Sequence, residues 1–319
     1  MKRKHMPEII AAGPAGSAAL KEPSRYYLKL EGITRKYTIM HVTDVHVATA
    51  YPDESEEFLK EAELRGCAYF PPERGFSAAD RLPMFFEKAA ETGADAVLLT
   101  GDIIDFASRA NLDRLSDALA ASPVKAVYCL GNHDWSSMYN YHSPEHAAAI
   151  AAYFDRIVNR SGASDNAACL PLSPHYRLED MGEFYVFAVD DSCDRIDPAA
   201  LEAAKTIFVP GGKPVLVACH VPFWSQTLEA PTRDYWRSVI LIGGSGIAPD
   251  ENTRAFMDLM LAPDSPVFAV IAGHIHFNHE DMLNAKIVQI TTEEGHAGAY
   301  SVIEIEPESE NVPRSPNLP

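Results

Sequence analysis

Residues 97–106 read VLLTGDIIDF, and the organisation of the chain is clearest around them. The apolar residues Val97–Leu99 are typical of a buried parallel strand, which then ends in Thr100-Gly101-Asp102. A carboxylate at that end of a strand lies where open α/β sheets place their functional sites. A single carboxylate there is more often a helix N-cap or a turn residue. Four other apolar runs end in residues that bind metals, and this repetition favours the functional interpretation.

The composition sets limits on the class of protein. The 319 residues are enough for one large domain or two small ones, and an apolar share of 47% predicts a packed core. Lys and Arg number 27 and Asp and Glu number 45, which gives a net charge of −18. That charge repels a phosphate-rich polymer, so we expect no nucleic-acid partner. A pocket that holds divalent cations reverses the sign locally, which leaves a nuclease open as an alternative.

The cysteines and the ends of the chain carry predictions about location. No CxxC pair occurs and the number of cysteines is odd, so we expect a reducing compartment and predict a cytoplasmic protein. We interpret residues 1–24 as a flexible leader, because they lack the long apolar segment of a signal peptide. No window of eighteen apolar residues exists, so no membrane span is expected. The five cysteines are Cys67, Cys129, Cys169, Cys193 and Cys219.

Strand and helix patterns alternate along the chain and predict a layered α/β domain. We expect one domain over residues 25–306, with loop insertions near 51–77 and 222–249 and a polar tail over 307–319. Strands are predicted at Tyr26–Leu30, Tyr37–Val42, Ala96–Leu99, Val124–Leu130, Tyr176–Glu179, Phe184–Val189, Val215–Cys219, Val267–Ile271, Ala285–Ile290 and Ala299–Ile305. Helices are predicted at Glu54–Leu64, from the N-cap Ser77 to Thr92, from the N-cap Asn111 through Leu119, from Ser143 to Asn159, at Pro198–Lys205 and at Thr253–Leu261.

Polar residues with metal-binding side chains follow five of the predicted strands. Carboxylate, imidazole and amide oxygen together suit Mn, Fe, Zn, Co or Ni, and suit Ca or Mg less well. The absence of cysteine from the set argues against a structural zinc site. These residues are Asp44 and His46, Asp102 and Asp105, Asn132, His133 and Asp134, His220, and His274 and His276.

The five motifs, in this order, resemble the calcineurin-like metallophosphoesterases. The matches are Asp44-Val45-His46, Gly101-Asp102-Ile103-Ile104-Asp105, Gly131-Asn132-His133-Asp134, His220 and Gly273-His274-Ile275-His276. They run from residue 44 to residue 276. Each motif alone is common, but five in order after strands form a specific signal. The long spacing from Asp44 to Asp102 predicts an insertion around residues 51–77.

The resemblance implies a fold and a set of metal ligands. The implied fold is a four-layer α/β/β/α sandwich, with mixed sheets inside, helices outside and two metals at one end. The metals would be divalent or mixed-valence Mn, Fe or Zn. The resemblance assigns Asp44, His46 and His276 to the first metal, Asn132, His220 and His274 to the second, and Asp102 to both.

The resemblance also implies a mechanism. A hydroxide that bridges the two metals attacks phosphorus in line, and the metals clamp the attacking and leaving oxygens. His133 lies near the leaving oxygen as a proton donor or charge stabiliser. Asp105 orients His133, and Asp134 supports the same group of residues.

The loops after the strands contain candidates for substrate binding. Aromatic rings beside arginines stack on a base and hold a phosphate, and we single out Trp135, Tyr139, Arg233 and Trp236 for this role. For each ring, packing beneath a long loop is an equally good interpretation. Several other residues are interpreted as structural, second-layer or surface groups: His41, His142, His146, His175, His279, His296 and the pair Asp190-Asp191.

These observations predict a two-metal hydrolase of small or nucleotide-like phosphate esters. Phosphodiesters, including cyclic nucleotides, and phosphomonoesters are both open, because the sequence does not show whether a second ester group fits. The alternatives are a nuclease that uses the same site and a non-catalytic metal-binding scaffold. The oligomeric state is left open.

Overall fold

The computed structural model describes residues 20–69, 78–135 and 175–308. In chain order the strands are β1 (Ser24–Leu30), β2 (Tyr37–Val42), β3 (Ala96–Thr100), β4 (Ala126–Cys129), β5 (Tyr176–Asp180), β6 (Tyr185–Val189), β7 (Val215–Ala218), β8 (Val267–Ala272), β9 (His279–Met282), β10 (Val288–Thr291) and β11 (Ser301–Pro307). The helices are α1 (Glu56–Tyr69), α2 (Ala78–Glu91), α3 (Arg109–Ala121), α4 (Asn132–Trp135), α5 (Pro198–Ile207), α6 (Gln226–Trp236) and α7 (Glu251–Leu261). Across these described ranges, every helix is too short or too polar to cross a membrane.

The strands form two sheets. The first has the order β1-β11-β2-β3-β4, with β2, β3 and β4 parallel and β11 antiparallel to β2. The second has the order β5-β6-β7-β8-β10-β9, with β6, β7, β8 and β10 parallel. The parallel strands of one sheet end at the same edge, so the loops that follow them lie side by side.

Successive residues of the central strands face two different apolar cores. In β7, Val215 and Val217 contribute to a core shared with α5 and α7, whereas Leu216 and Ala218 contribute to a core between the sheets. The first sheet shows the same division, because Leu98 faces the other sheet while Val97 and Leu99 pack with α2 and α3. Strands buried on both faces are apolar throughout, which explains the continuous runs in the sequence.

The order of layers is therefore helices, sheet, sheet, helices. Helices α2 and α3 cover the outer face of the first sheet, and α5 and α7 cover the outer face of the second. The predicted four-layer α/β/β/α sandwich is confirmed.

Several element boundaries differ from the predictions. Helix α3 begins at Arg109, and its N-cap is Ser108, whose hydroxyl accepts a hydrogen bond from the backbone N–H of Asn111. The prediction that Asn111 is the cap was wrong, because its side chain instead accepts from Thr49 and donates to the carbonyl of Phe106.

One polar segment was also predicted incorrectly. The strand predicted over Ala285–Ile290 begins at Val288, and β9 was missed because its sequence HEDM has no apolar alternation. The predicted insertion near 222–249 contains the helix α6, an element of about three turns. The helix predicted over 143–159 lies outside the described residues.

The described chain is packed close to both predicted boundaries. Strand β1 begins at Ser24, and the backbone N–H of Lys21 donates to the carbonyl of Gly298 at 2.9 Å. Strand β11 continues to Pro307. The leader and tail assigned to residues 1–24 and 307–319 lie largely outside the described part, and the domain division stays a prediction.

Candidate metal centre

The loops after β2, β3, β4, β7 and β8 meet at one edge of the sandwich. Within the first sheet, the N–H of Asp44 donates to the carbonyl of Gly101 at 3.0 Å. Within the second, the N–H of Gly273 donates to the carbonyl of His220 at 3.0 Å. The two sheets are joined where the N–H of His274 donates to Asp44 Oδ2 at 2.9 Å. These bonds bring four of the five motifs together.

Two motif glycines are required by close approach of these loops. A Cβ at Gly131 would overlap the side chain of Asp102, and a Cβ at Gly273 would overlap the hydroxyl of Thr43. Any larger residue would push the loops apart. The glycines that precede the polar motif residues are therefore explained by packing of one loop on another.

The backbone at the site is strained. Five of the seven predicted ligands have φ between +50° and +69°, a region that non-glycine residues rarely adopt. Such strain persists only where the surroundings enforce it, and it concentrates at functional sites. The five residues are Asp44, His46, Asp102, His274 and His276.

One group of potential ligand atoms lies around Asp44. Its Oδ1 is 3.1 Å from His276 Nε2 and 3.8 Å from His46 Nε2. Each of these three residues offers one imidazole nitrogen or carboxylate oxygen, and these three atoms all lie within 4.8 Å of one another. They are the three residues that the resemblance assigns to the first metal.

A second group lies around His220. Its Nε2 is 3.1 Å from Asn132 Oδ1, 3.2 Å from His274 Nδ1 and 3.3 Å from Asp102 Oδ2. One nitrogen carries at most one proton, so it cannot satisfy all three neighbours by hydrogen bonding. This group contains the three residues assigned to the second metal.

The carboxylate of Asp102 lies between the two groups. Its Oδ2 is 3.8 Å from His46 Nε2 on one side and 3.3 Å from His220 Nε2 on the other. Its Oδ1 accepts a hydrogen bond from the backbone N–H of His133 at 2.8 Å. Asp102 therefore has the location expected of a bridging ligand.

The hydrogen bonds of two imidazoles fit a metal site. His220 Nδ1 is 2.7 Å from the carbonyl oxygen of Thr100, and His46 Nδ1 is 2.8 Å from Asp105 Oδ1. Because both partners accept, each Nδ1 must carry the proton, and in the neutral ring the lone pair is on Nε2. Both Nε2 atoms face carboxylates, so lone pairs and negative charge converge, an arrangement that a cation stabilises.

The buried carboxylates of the site also favour a positive charge beside them. Burial disfavours protonation of His220, but the carboxylate of Asp102, helped by Asp44, raises its pKa to about 10. Burial alone would raise the pKa of Asp102. The nearby imidazoles, first among them His220, outweigh burial and hold this pKa below its usual value. The pKa of His274 falls to about 3, because burial and the neighbouring His220 both oppose a second positive charge.

Asp105 joins the metal group to His133. Its Oδ1 is 2.8 Å from His46 Nδ1 and 2.9 Å from His133 Nδ1. Burial alone would raise the pKa of Asp105, but the His133 and His46 imidazoles lower it, so the carboxylate stays ionised. The pKa of His133 is raised: burial opposes protonation, and Asp102 and Asp105 outweigh it. The predicted pair of His133 and Asp105 is in contact.

Asp134 is buried beneath the site and binds backbone. Its carboxylate accepts from the N–H groups of Gly131 at 2.7 Å and of Asp102 and Ile104 at 2.9 Å. Burial and then the charge of Asp102 raise its pKa to about 7. Its hydrogen bonds hold the loop that carries Asp102 in place, a more specific role than the one predicted from sequence.

Asp191 plays the corresponding part in the second sheet. It follows β6 and accepts from the backbone N–H groups of His220 at 2.9 Å and of Val221 at 3.1 Å. Burial raises its pKa to about 7. The structural interpretation of the pair Asp190-Asp191 agrees with these bonds, although their connection to His220 leaves no signal in the sequence.

The predicted substrate-binding residues have different outcomes. The ring of Trp236 lies 5.1 Å from that of His276, edge to face, and its indole N–H donates to the carbonyl of Ile275 at 2.8 Å. Arg233 is exposed and ion-pairs with Glu229 on its own helix, so the structure does not bring it to the metal ligands. Tyr139 and the side chain of Trp135 lie outside the described residues.

His296 reaches the site, although it was predicted from sequence only as a surface or second-layer residue and not singled out. Its ring lies 5.8 Å from that of His46 and 5.7 Å from that of His276. Its backbone N–H donates to the carbonyl of Asp44 at 3.0 Å. The only hint in the sequence is a histidine shortly after a strand, here β10, without a second motif residue beside it.

A comparison with protein-family models matches residues 37–278 to the calcineurin-like phosphoesterases. Because the match covers most of the chain, the protein belongs to the calcineurin-like phosphoesterase family. Membership makes it a metal-dependent phosphoric ester hydrolase, and together with the clusters of ligand atoms it supports a binuclear site for divalent metals. A search of curated proteins found no match.

Solved structures similar to this chain include two phosphatases. A dimetal phosphatase from Danio rerio is 16% identical with a TM-score of 0.48, over 82% of this chain and 88% of the other. The purple acid phosphatase PPD1 from yellow lupin seeds is 11% identical with a TM-score of 0.45, over 82% and 44%. A protein from Thermus thermophilus is 14% identical with a TM-score of 0.41, over 82% and 90%.

Proposed function

We propose that the protein hydrolyses small, nucleotide-like phosphate esters with two divalent cations held by the seven predicted ligands. The observation that carries this proposal is the position of Asp102 between two groups of ligand atoms, with His133 bonded to Asp102 through its backbone. Phosphodiesters, including cyclic nucleotides, and phosphomonoesters both remain candidate substrates. The cytoplasmic location and the choice among Mn, Fe and Zn stay predictions.

The residues divide into two ligand sets in this proposal. Asp44, His46 and His276 would hold one cation, and Asn132, His220 and His274 the other, with Asp102 shared. When bound, the cations supply Lewis acidity and neutralise the charge that develops on the phosphoryl oxygens.

His133 is proposed as the proton donor to the leaving oxygen. Asp105 holds Nδ1 of the ring, so Nε2, on the opposite side, carries the proton that moves. Asp102 and Asp105 raise the pKa of His133 above its ordinary value, which favours the protonated ring that a general acid requires. Asp105 fixes the orientation of the ring and stabilises its charge.

Trp236 is proposed to form one wall of the substrate site. Its ring lies against that of His276. Tyr235 extends the aromatic surface, because the centroid of its ring lies 5.2 Å from that of Trp236 and 5.7 Å from that of Phe277. An aromatic surface beside a phosphate-binding centre suits a base or an aryl leaving group.

The substrate class is tested with purified protein and added Mn²⁺. We would compare mono- and bis-(p-nitrophenyl) phosphate, cyclic nucleotides and alkyl phosphates. Turnover of the diester without the monoester would exclude the monoesterase, and the reverse result would exclude the diesterase. Stoichiometric metal without turnover of any member of this panel would contradict the proposed function and favour a scaffold.

The role of Trp236 is tested with Trp236→Phe and Trp236→Ala. We expect Trp236→Ala to raise KM for nucleotide and aryl substrates more than for alkyl substrates, and Trp236→Phe to retain much of the preference. Trp224→Ala is the matched control, because it removes a 40% exposed indole that hydrogen-bonds to Glu229. Equal effects of both alanine variants would contradict the assignment.

The role of His133 is tested with His133→Ala. Loss of a general acid lowers the rate by about 10²–10⁴-fold, and the loss should be greatest for alkyl leaving groups, which need protonation most. Metal content should stay unchanged, because His133 is not among the proposed ligands. Unchanged turnover of alkyl substrates would show that the acid assignment is wrong.

A further inference from the structure

Helix α1 lies between the first two motifs in the sequence, and one of its side chains, that of Arg65, contacts Asp105, the partner of His133. Arg65 is 9% exposed, and its Nε lies 3.3 Å from Asp105 Oδ2 and 3.5 Å from Glu61 Oε2. The same helix carries a second i,i+4 ion pair, Lys60 with Glu56 at 3.0 Å, whose side chains are both strongly exposed. The contrast separates an ordinary surface pair from one directed at the site.

The two oxygens of Asp105 have different partners. Oδ1 contacts both imidazoles: it is 2.8 Å from His46 Nδ1 and 2.9 Å from His133 Nδ1. Oδ2 faces the guanidinium of Arg65. A carboxylate turns about its Cβ–Cγ bond, and a partner on Oδ2 restricts that rotation. The position of Oδ1 between the two rings therefore depends on Arg65.

The charges support the same interpretation. Asp105 is fully buried, and a buried carboxylate is costly unless it is paired and hydrogen-bonded. The guanidinium is always charged and planar, so it compensates Asp105 at every working pH without adding a third imidazole. Glu61 pairs with the same guanidinium and holds it from the side of the helix.

We propose that Arg65 is a positioning residue that fixes the carboxylate of Asp105 and thereby the orientation of the His133 ring. This inference rests on the proposed function, because it assigns Arg65 to the protonation of the leaving oxygen. It gives the segment inserted between the motifs a direct part in the chemistry: α1 helps to align the proton donor.

The experiment compares Arg65→Gln and Arg65→Lys with Lys60→Gln, the matched control on the same helix. We expect Arg65→Gln, assayed at saturating Mn²⁺, to lower kcat for an alkyl phosphate by about 10–100-fold with KM unchanged, a range typical of the outer residues of metal sites. The loss for p-nitrophenyl phosphate should be several-fold smaller, because p-nitrophenolate leaves without protonation. Arg65→Lys should fall between wild type and Arg65→Gln, and Lys60→Gln should match wild type.

A second readout is independent of turnover. Imidazole N–H protons bonded to a carboxylate give separate downfield proton resonances, and we expect His133→Ala to identify the resonance of His133. Arg65→Gln should lose or shift this resonance, and Lys60→Gln should keep it. A retained resonance in folded Arg65→Gln would overturn the proposal even if the protein had no phosphoesterase activity. Equal losses of kcat for both leaving groups, with loss of metal or of folding, would also overturn it in favour of a structural role.

Discussion

The loop after β3 and the loop after β7 come from different sheets, yet both are held by a buried carboxylate that follows a neighbouring strand. Asp134 accepts three backbone N–H groups around Asp102, and Asp191 accepts those of His220 and Val221. Burial raises the pKa of both carboxyl groups to about 7. The two sheets use the same device to support their candidate ligands.

The loops differ in what they carry. The two carboxylate ligand candidates, Asp44 and Asp102, follow strands of the first sheet. The second sheet contributes imidazoles: His220, His274 and His276. The centre therefore takes its negative charge from one sheet and three of its four imidazole ligands from the other, with His46 as the fourth, and it forms only where the two sheets meet. The first sheet also supplies His133 and Asp105, so both residues of the proposed proton transfer come from that sheet.

The largest expected effect comes from removing the shared charge. Asp102→Asn removes the carboxylate between the two groups, so both cations should bind more weakly. We expect activity to fall by about 10²-fold or more, beyond the range of outer residues, and metal content measured by atomic emission to fall well below two per chain. Asp53→Asn, at an exposed carboxylate that pairs with Arg109, is the control. Two tightly bound metals in Asp102→Asn would contradict the bridging role.

A smaller effect is expected from the supporting carboxylates. Asp134→Ala leaves three buried N–H groups without their acceptor and Asp191→Ala leaves two, so both should be destabilised. At about 1 kcal/mol or more for each lost acceptor, Asp134→Ala should cost about 3 kcal/mol and Asp191→Ala about 2 kcal/mol.

Urea unfolding of the chelated proteins measures these differences. Asp53→Ala is the control for loss of a carboxylate at the surface. Equal stability of Asp134→Ala and wild type would show that the hydrogen bonds beneath the Asp102 loop contribute little, and the comparison between the sheets would fail.

The smallest expected effect is the release of protons when the metal binds. In the metal-free protein the pKa of His220 is about 10, so near pH 8 its ring is protonated and must lose a proton before Nε2 can bind a cation. Metal binding at pH 8 should release about one proton or more per chain, and affinity should fall as the pH is lowered. Calorimetry in buffers of different ionisation enthalpy counts the protons. Binding without proton release would contradict the role of His220.

Much of the site could be predicted from sequence for a simple geometric reason. Parallel strands end at a common edge, so Asp102, Asn132 and the other polar residues at strand ends had to lie near one another. The strand runs were apolar throughout because both faces are buried, and together with the alternating helices they predicted a layered α/β domain. The order of the four layers was predicted from the family resemblance.

The remaining features depend on contacts that leave no local pattern. Arg65 lies in a helix among other charged residues, and only the fold shows that it faces Asp105. His296 stands alone after β10, and its approach to His46 follows from a backbone bond to Asp44. Arg233 has the right chemistry and lies close in sequence to Trp236, but it faces Glu229 and solvent.

The most direct test is a crystal structure of the Mn²⁺-loaded protein with anomalous scattering data. Our account predicts two peaks about 3.5–4 Å apart, both within coordination distance of Asp102, one beside His46 and the other beside His220. A single peak, or two peaks of which Asp102 contacts only one, would contradict it.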